Sequence, residues 1–365
     1  MNATRRFLQI DRGEDMSASK LDPIYRELAT KLGQGNSNLV PQILARLANL
    51  EQAKIVRELP APADVIAQKL NLDQTVVDNH IQELIEKGLV FPTKKGPQMA
   101  RNIEQLHDAA LGNPKYDEQV GDEYFDLFAE FMDKEILDDM VKTYVSGEVP
   151  KWRIIPRWNS IKDVPGVLPS EDIREIIRSQ ETLALLHCPC KREHRKRKCG
   201  VPVQVCINVG RTAQYNINRG AGKKITAEEA LKVIEETDKY PMVHFSLNQA
   251  EVNQLVCNCH WCCCAPLGHM FRQDQYKITD GVAKSRFAAV VDPQKCQGCK
   301  TCLTKCQFGA VRMKQYPEIR TERATIDPEK CMGCGSCVVS CRSEARSMKL
   351  VRPPEHIPQK TERLY

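Results

Sequence analysis

Apolar residues recur at three- and four-residue intervals through the first part of the chain, which is the spacing of one buried helix face. The pattern predicts four helices, over residues 40–50, 51–59, 63–70 and 74–87. Pro60 breaks the second helix and Gly88 ends the fourth. A short apolar run from Leu89 to Phe91, followed by a turn, then predicts a strand. These elements delimit a small helical domain over residues 39–100.

The rest of the chain divides by charge and by cysteine content. Residues 101–160 are acidic, and apolar side chains from Tyr124 to Met140 recur at helical spacing, which predicts an amphipathic helix with a solvated acidic face. Thr226 followed by Glu229 predicts a further, capped helix. The predicted segments are a polar N-terminus (1–38), the helical domain (39–100), an acidic connector (101–160), two cysteine-rich regions (161–285 and 286–350) and a tail (351–365). We expect an α+β protein whose middle region is a cysteine-rich α/β domain.

Composition narrows the class of protein. The chain has 365 residues, is 42% hydrophobic and carries 53 Lys and Arg against 47 Asp and Glu, so it is long enough for two or three folded domains. No run approaches the ~20 apolar residues of a membrane span and no secretion signal opens the chain, so a cytoplasmic location is expected. All 17 cysteines lie between Cys188 and Cys341. An odd number of thiols in a reducing compartment disfavours disulfides, and metal binding is the expected use.

Eight of the cysteines form two motifs of identical spacing near the C-terminus. The motifs are Cys296, Cys299, Cys302 and Cys306, then Cys331, Cys334, Cys337 and Cys341. In a [4Fe–4S] cubane each iron takes one thiolate, and the fourth cysteine of such a motif reaches the other cluster. Cross-ligation is therefore expected, with Cys341 joining the first three cysteines and Cys306 joining the second three. Gly298, Gly333 and Gly335 provide small residues where the backbone approaches cluster sulfurs.

These motifs resemble the bacterial two-[4Fe–4S] ferredoxin domain, over residues 286–350. The resemblance implies a ferredoxin-like fold and one-electron transfer, and the spacing fits poorly with the paired cysteines of a double zinc site. Gln307 and Arg342 stand where the family usually has a proline after the fourth cysteine. The gap between Cys306 and Cys331 is longer than in the shortest ferredoxins and leaves room for a β-hairpin.

Nine cysteines remain, in two sets along the sequence. The first set is Cys188, Cys190, Cys199 and Cys206, and the second is Cys257, Cys259, Cys262, Cys263 and Cys264. These sets are enough for one or two further [4Fe–4S] clusters. Because neighbouring residues of an extended chain point in opposite directions, Cys263 is expected to face away, and one of Cys262, Cys263 and Cys264 is expected to be spare. The alternatives are a structural zinc site completed by His194 or His260, and a reactive dithiol.

The cysteine layout is similar to that of a group of multi-cluster iron–sulfur proteins of anaerobic bacteria, over about residues 165–345. The similarity rests on Cys188 with Cys190, on Cys199 with Pro202, and on Cys257 with Cys259. It implies additional clusters ahead of a dicluster ferredoxin domain, and it implies no particular reaction.

A basic run lies inside the first of these sets. It comprises Lys191, Arg192, Arg195, Lys196, Arg197 and Lys198. We expect these cations to stabilise the reduced clusters and to dock an acidic protein partner. Nucleic acid is a less favoured partner, because the net charge of +6 averages over segments of opposite sign.

The helical domain resembles winged helix–turn–helix domains over about sixty residues. That resemblance implies DNA binding, but the helix over residues 74–87 carries Asp78, Glu83 and Glu86 against Lys87, and an acidic helix is repelled by phosphates. Protein docking or dimerisation is therefore the favoured role, and a homo- or hetero-oligomer is left open.

The expected function is that of an oxygen-sensitive iron–sulfur protein, relaying single electrons through two to four [4Fe–4S] clusters to or from an oxidoreductase. No catalytic residues and no dinucleotide-binding motif stand out, so an electron-transfer protein or a subunit of an oxidoreductase complex is favoured over a complete enzyme. Two alternatives remain at this point. One is a redox-responsive DNA-binding regulator, and the other is an oxidoreductase subunit whose middle domain holds a substrate-binding cluster.

Overall fold

The computed structural model describes residues 20–136, 150–197, 199–252, 254–272 and 281–359. The N-terminal part is helical and contains one hairpin. Its helices are α1 (Pro23–Lys31), α2 (Val40–Leu47), α3 (Leu50–Glu58), α4 (Ala63–Leu70), α5 (Gln74–Lys87), α6 (Ile103–Ala110), α7 (Asp117–Val120) and α8 (Asp122–Lys134). The antiparallel hairpin consists of β1 (Val90–Thr93) and β2 (Gly96–Met99). Among the described residues, no helix combines the length and the apolar character needed to cross a membrane.

Local capping explains where these helices begin and end. The Asp73 side chain accepts a hydrogen bond from the backbone N–H of Thr75 at the start of α5, and Gly88 ends α5 in the left-handed conformation. The predictions for α4 and α5 are confirmed. The first predicted helix is shorter than expected and the second begins and ends one residue earlier, because Asn49 caps α3 and separates it from α2.

Helix α1 lies within the segment predicted to be a polar N-terminus. Its side chains Ile24, Tyr25 and Leu28 are buried, and the Tyr25 hydroxyl donates to the Ala48 carbonyl over 2.9 Å. The predicted boundary at residue 38 therefore divides a single packed unit. The apolar residues of α1 span too few turns for a helical repeat to be recognised in the sequence.

The middle of the chain forms a seven-stranded sheet in the order β6-β4-β5-β8-β7-β3-β9. Its strands are β3 (Trp152–Ile155), β4 (Leu183–His187), β5 (Gln204–Val209), β6 (Lys223–Ile225), β7 (Val243–Leu247), β8 (Leu255–Cys259) and β9 (Val282–Ala283). Every pair is antiparallel except β3 with β9. The region predicted to be α/β is therefore a mainly antiparallel sheet with helices on both faces.

Helices cover the two faces of this sheet according to the alternation of its side chains. They are α9 (Trp158–Ile161), α10 (Ile173–Arg178), α11 (Pro189–Glu193), α12 (Gly210–Asn218), α13 (Ala227–Asp238) and α14 (Ala265–Arg272). Leu183 packs with α10 and α13, while Ala184 and Leu186 pack with α12 on the opposite face. The predicted cap of α13 is confirmed, because Thr226 and Glu229 form a capping box.

The acidic connector is part of the core. The α8 side chains Tyr124, Phe125, Phe128 and Phe131 are buried, in an apolar cluster that continues from the N-terminal helices to the sheet. The amphipathic helix predicted here is confirmed as far as the described residues extend, and Met140 lies outside them. Because this cluster is shared, the helical part and the sheet pack as neighbours through α8.

The C-terminal part is built from two related halves. Its elements are β10 (Phe287–Val291), α15 (Thr301–Lys305), β11 (Val311–Tyr316), β12 (Ile319–Ile326), α16 (Ser336–Val339) and β13 (Arg346–Leu350). Strand β10 pairs with β13, and β11 pairs with β12 as the predicted hairpin. The halves make matching bonds, from Asp292 N to Ala345 O at 2.8 Å and from Asp327 N to Ala310 O at 2.7 Å.

Candidate metal centres

The first two cysteines of the C-terminal part, Cys296 and Cys299, lie in a loop, and Cys302 lies in the first turn of α15. We call these three, together with Cys341, the outer set. Cys296 and Cys302 are buried, but Cys299 is exposed to solvent. The buried Arg346 guanidinium donates to the Cys302 sulfur at 2.9 Å. This cation offsets thiolate charge where a cluster with a net negative charge would bind.

Cys306, Cys331, Cys334 and Cys337 form the inner set, and all four line one cavity together with Phe308 and Met332. Burial raises the pKa of Cys337 to about 12, and the neighbouring Cys334 thiol acts in the same direction. A buried thiol of this kind ionises readily only when a metal replaces its proton. The fourth cysteine of the first motif thus lies with three cysteines of the second, as cross-ligation requires, and cross-ligation itself stays a proposal.

The inner loop approaches its surroundings closely at two glycines. Gly333 and Gly335 both have positive φ, and a Cβ at Gly333 would lie 2.1 Å from the Phe287 carbonyl oxygen. At Gly335 it would lie 2.0 Å from the Ser160 hydroxyl oxygen. The small side chains predicted at these positions therefore let the loop pack tightly against β10 and α9.

Six of the nine middle cysteines line a second and larger cavity, of about 360 Å³. We call it the six-thiol cavity; its cysteines are Cys188, Cys190, Cys206, Cys257, Cys259 and Cys264. They come from the end of β4, from α11, from β5, from β8 and from the start of α14. Because Ile207 on β5 pairs with Val256 on β8, Cys206 and Cys257 come next to each other on adjacent strands.

Contacts among these thiols and with one lysine alter their ionisation. A hydrogen bond from Cys190 lowers the pKa of Cys188, and hydrogen bonds from Cys257 and Cys264 lower the pKa of Cys259 well below its usual value. Burial lowers the pKa of Lys191, but the surrounding thiol groups raise it above its ordinary value. The direction of these two pKa shifts favours the thiolate, which is the form that binds metals.

The remaining three cysteines form a separate cluster. Cys199, Cys262 and Cys263 have sulfurs within 4.8 Å of one another, and we call them the three-thiol group. His260 Nδ1 lies 3.3 Å from the Cys199 sulfur and 3.0 Å from the Cys262 sulfur. The division into sets of four and five is therefore wrong in space. The expectation that Cys263 faces away is also wrong, because residues 260–264 form a turn and not an extended strand.

Gln307 joins the inner set to the six-thiol cavity. Its side-chain oxygen accepts from the Trp261 backbone N–H at 2.7 Å, and its amide nitrogen donates to the Cys259 carbonyl at 3.1 Å. Gln307 directly follows Cys306, and Cys259 belongs to the six-thiol cavity. A proline at position 307 could make neither of these side-chain bonds, so the departure from the ferredoxin pattern has a structural role.

The basic run binds carboxylates of the same chain. Arg192 pairs with Asp117, and Arg195, Lys196 and Arg197 pair with Asp122, Asp126 and Asp133. Lys191 and Arg192 are buried, so they have no surface to offer a partner, contrary to the predicted docking role. For Arg195, Lys196 and Arg197 the docking role stays a prediction, and a partner would have to compete with the α8 carboxylates for these side chains. Lys198 lies outside the described residues.

A buried ion pair anchors the helix that carries Cys190. His107 Nε2 lies 2.6 Å from Glu193 Oε2, and His194 Nε2 lies 3.0 Å from the other carboxylate oxygen. Burial lowers the pKa of His107, but hydrogen bonds to Asp108 and Glu193 more than offset it and raise the pKa to about 10. Burial likewise raises the pKa of Glu193, but the two histidines bring it down to about 2.

The geometry of the outer and inner sets defines a ferredoxin-like iron–sulfur domain. Comparison with protein families agrees, because residues 295–345 match the 4Fe-4S dicluster domain. That stretch holds all eight cysteines of the two sets, so this part of the chain is an iron–sulfur domain of the dicluster type that binds [4Fe–4S] clusters. No curated protein and no solved structure matches the chain.

Several residues at these sites were not found from the sequence as functional. Arg346 at the outer set and Asn258, whose carbonyl accepts from Lys191 at 2.7 Å, carried no local signal. Gln307 did carry a signal in the sequence, since it departs from the ferredoxin pattern. His260, by contrast, was found as a candidate zinc ligand, because it lies between Cys259 and Cys262 in the sequence.

Proposed function

We propose that the protein transfers single electrons between an external redox protein and a third iron–sulfur centre bound in the six-thiol cavity. The observation that carries this proposal is the link through Gln307, which connects the inner set to the wall of that cavity. A [4Fe–4S] cluster, when bound, accepts and releases one electron at a time. The cysteines then form a series from the exposed outer set through the inner set to the buried cavity.

The charges of the described residues support this series. Arg346 faces the outer set, and Lys191 lies among the thiols of the cavity. In the inner set burial raises the pKa of Cys334, and the nearby charge of buried Arg157 opposes that rise. Cations placed near thiolate-bound clusters stabilise their reduced, more negative state. Each cysteine set thus has a buried cation of its own.

The partner is proposed to dock at the outer set. Cys299 is exposed there, and the exposed cations Lys295 and Arg342 flank its loop and the neighbouring Cys341, together with Lys300, which also pairs with Glu322 at 3.8 Å. A positively charged rim steers an acidic protein toward the exposed thiol. The acidic partner inferred from the sequence is therefore retained, with its docking surface moved from the basic run to this rim.

Metal analysis of anaerobically purified protein tests the third centre. The dicluster domain accounts for about eight iron and eight sulfide per chain, and a further cubane in the six-thiol cavity raises each to about twelve. Replacing Cys257 and Cys259 together by alanine is expected to return both counts to about eight. Replacing exposed Ser179 by alanine provides the control, with no change. A wild-type count of about eight would contradict a third iron–sulfur centre.

A second candidate function is an oxidoreductase whose substrate binds beside the third centre. The specific observation is the size of the six-thiol cavity, because about 360 Å³ lies within the range of small-molecule sites. Six thiols also exceed the four that one cubane uses, and Phe91 and Trp152 provide an apolar lining. Adding cyanide to the reduced protein is expected to shift the paramagnetic resonance signal of the third centre and to leave the dicluster signals unchanged. Unchanged signals throughout would favour simple electron transfer.

A further inference from the structure

The three-thiol group has the geometry of a mononuclear metal site. We infer that Cys199, Cys262, Cys263 and His260 bind a zinc ion, separate from the iron–sulfur centres. A tetrahedral site with Zn–S bonds of about 2.3 Å places neighbouring ligand atoms about 3.5 to 4 Å apart. The Cys199 sulfur lies 4.0 Å from Cys263, as this geometry requires, while Cys262 at 2.8 Å and His260 Nδ1 at 3.3 Å are closer and would have to separate as the ion binds. The three sulfurs lie within 4.8 Å of one another without His260, so the His260 ring has to move toward Cys263 to become the fourth ligand.

The spacing of the other cysteines is different. Within the part of the chain that the structure describes, no second group of three or more Cys, His, Asp or Glu side chains brings its ligand atoms within 4.8 Å of one another. Cubane thiolates bind four different irons and stay separated by the body of the cluster, whereas the ligands of a single ion converge on one point. The thiols of the six-thiol cavity contact one another in pairs, but no three of them converge on one point, whereas the three sulfurs of the three-thiol group do.

The local backbone explains how one short segment supplies two sites. The N–H groups of Cys263 and Cys264 both donate to the His260 carbonyl, which forms a turn. This turn directs Cys262 and Cys263 toward Cys199, while Cys259 before it and Cys264 after it line the six-thiol cavity. The zinc ion would therefore fix the connection between β8 and α14 and hold two cavity cysteines in place.

Charge and accessibility both suit a zinc ion. Three thiolates around Zn²⁺ leave one net negative charge, after three thiol protons have been released to solvent. Buried Lys191 lies near Cys263, and the Arg197 guanidinium donates to the Cys262 carbonyl at 2.8 Å. Cys199 and Cys262 are partly exposed, which gives an ion access to the site, and Cys263 is 2% exposed.

Zinc content of the full-length protein tests this inference independently of iron. We expect about one zinc per chain, retained after ferricyanide has destroyed the iron–sulfur clusters. The zinc X-ray absorption spectrum of the wild-type protein is expected to show three sulfur ligands and one nitrogen ligand. This spectrum needs no variant, so it is decisive even if a substitution prevents folding. Zinc near zero, or four sulfur ligands, would overturn the assignment.

Substitutions then assign the ligands. Cys199→Ala and Cys263→Ala are each expected to lower zinc at least fivefold and to leave about eight iron in the dicluster domain. Cys299→Ala is the matched control, because Cys299 is also accessible but belongs to the outer set, and it is expected to lower iron and to leave zinc unchanged. If Cys263→Ala lowered iron and sulfide while zinc stayed constant, the group would belong to an iron–sulfur cluster and the inference would fail. A wild-type protein with eight iron and one zinc would reject the proposed third centre and keep the zinc site.

Discussion

Replacing Cys306 by alanine is expected to remove the cluster held by the second cysteine motif, although Cys306 belongs to the first. The physical reason is the position of its thiol, which lines the same cavity as Cys331, Cys334 and Cys337. Iron is expected to fall by about four per chain, and the resonance signal that survives in the reduced protein should be that of the outer cluster. On the proposed route, electron delivery to the six-thiol cavity should stop, because the inner cluster carries electrons from the outer cluster to that cavity.

The repeat of the motif provides matched controls for this experiment. With cross-ligation, Cys306→Ala and Cys334→Ala give the same surviving signal, and Cys302→Ala and Cys341→Ala share the other. If each motif instead held its own cluster, Cys306→Ala would give the same signal as Cys302→Ala. The grouping of the four spectra therefore decides between the two ligand assignments, even if all four variants lose some iron.

Replacing Glu193 by glutamine is expected to lower the free energy of unfolding by about 3 to 5 kcal/mol. Glu193 is buried between His107 and His194, and the substitution removes the buried counter-ion of His107, which keeps only the exposed Asp108 carboxylate. The urea midpoint of the anaerobic protein, followed by tryptophan fluorescence, measures the change. Glu130→Gln is the control, because its pair with Lys134 is exposed to solvent and contributes little to stability. Equal midpoint shifts for both variants would contradict the expected result.

The pH dependence of this pair has a definite sign. The pKa of His107 is raised from 6.5 to about 10, so its contribution to stability is complete below pH 6.5 and is lost as the pH rises toward 10. The pKa of Glu193 is lowered from 4.5 to about 2, so its contribution is complete above pH 4.5 and is lost as the pH falls toward 2. The advantage of the wild-type protein over Glu193→Gln should therefore be larger at pH 6 than at pH 9.

The sequence was sufficient to predict those elements whose ends are determined by residues a few positions away. Asp73 and Gly88 define the two ends of α5, and the caps lie within a few residues of the groups they satisfy. The positions of the eight ferredoxin-type cysteines were equally accessible, since each motif is contained in eleven consecutive residues. The winged-helix resemblance, by contrast, stays a prediction. The end of α5 is occupied by the rest of the chain, because the Glu86 carbonyl accepts from Arg219 at 2.9 Å.

Contacts between distant parts of the chain could not be predicted in this way. Sequence order places Cys199 with Cys206, but strand pairing carries Cys206 to β8 and leaves Cys199 beside Cys262. The basic run similarly looked available to a partner, because nothing local indicates that α8 supplies its carboxylates. The first difference comes from the pairing of β5 with β8, and the second comes from the packing of α8 against the basic run. Both bring together residues that are about fifty or more positions apart in the sequence.

The attachment of the dicluster domain has a consequence for kinetics. Gln307 and Arg157 tie the inner set to the sheet by bonds within one chain. On the proposed route, the transfer from the inner set to the six-thiol cavity is therefore unimolecular, and dilution leaves its rate unchanged. Concentration and ionic strength act on the encounter at Cys299 alone, where the exposed cations meet the partner. The overall rate of the series should accordingly change from second order to first order as the partner becomes abundant.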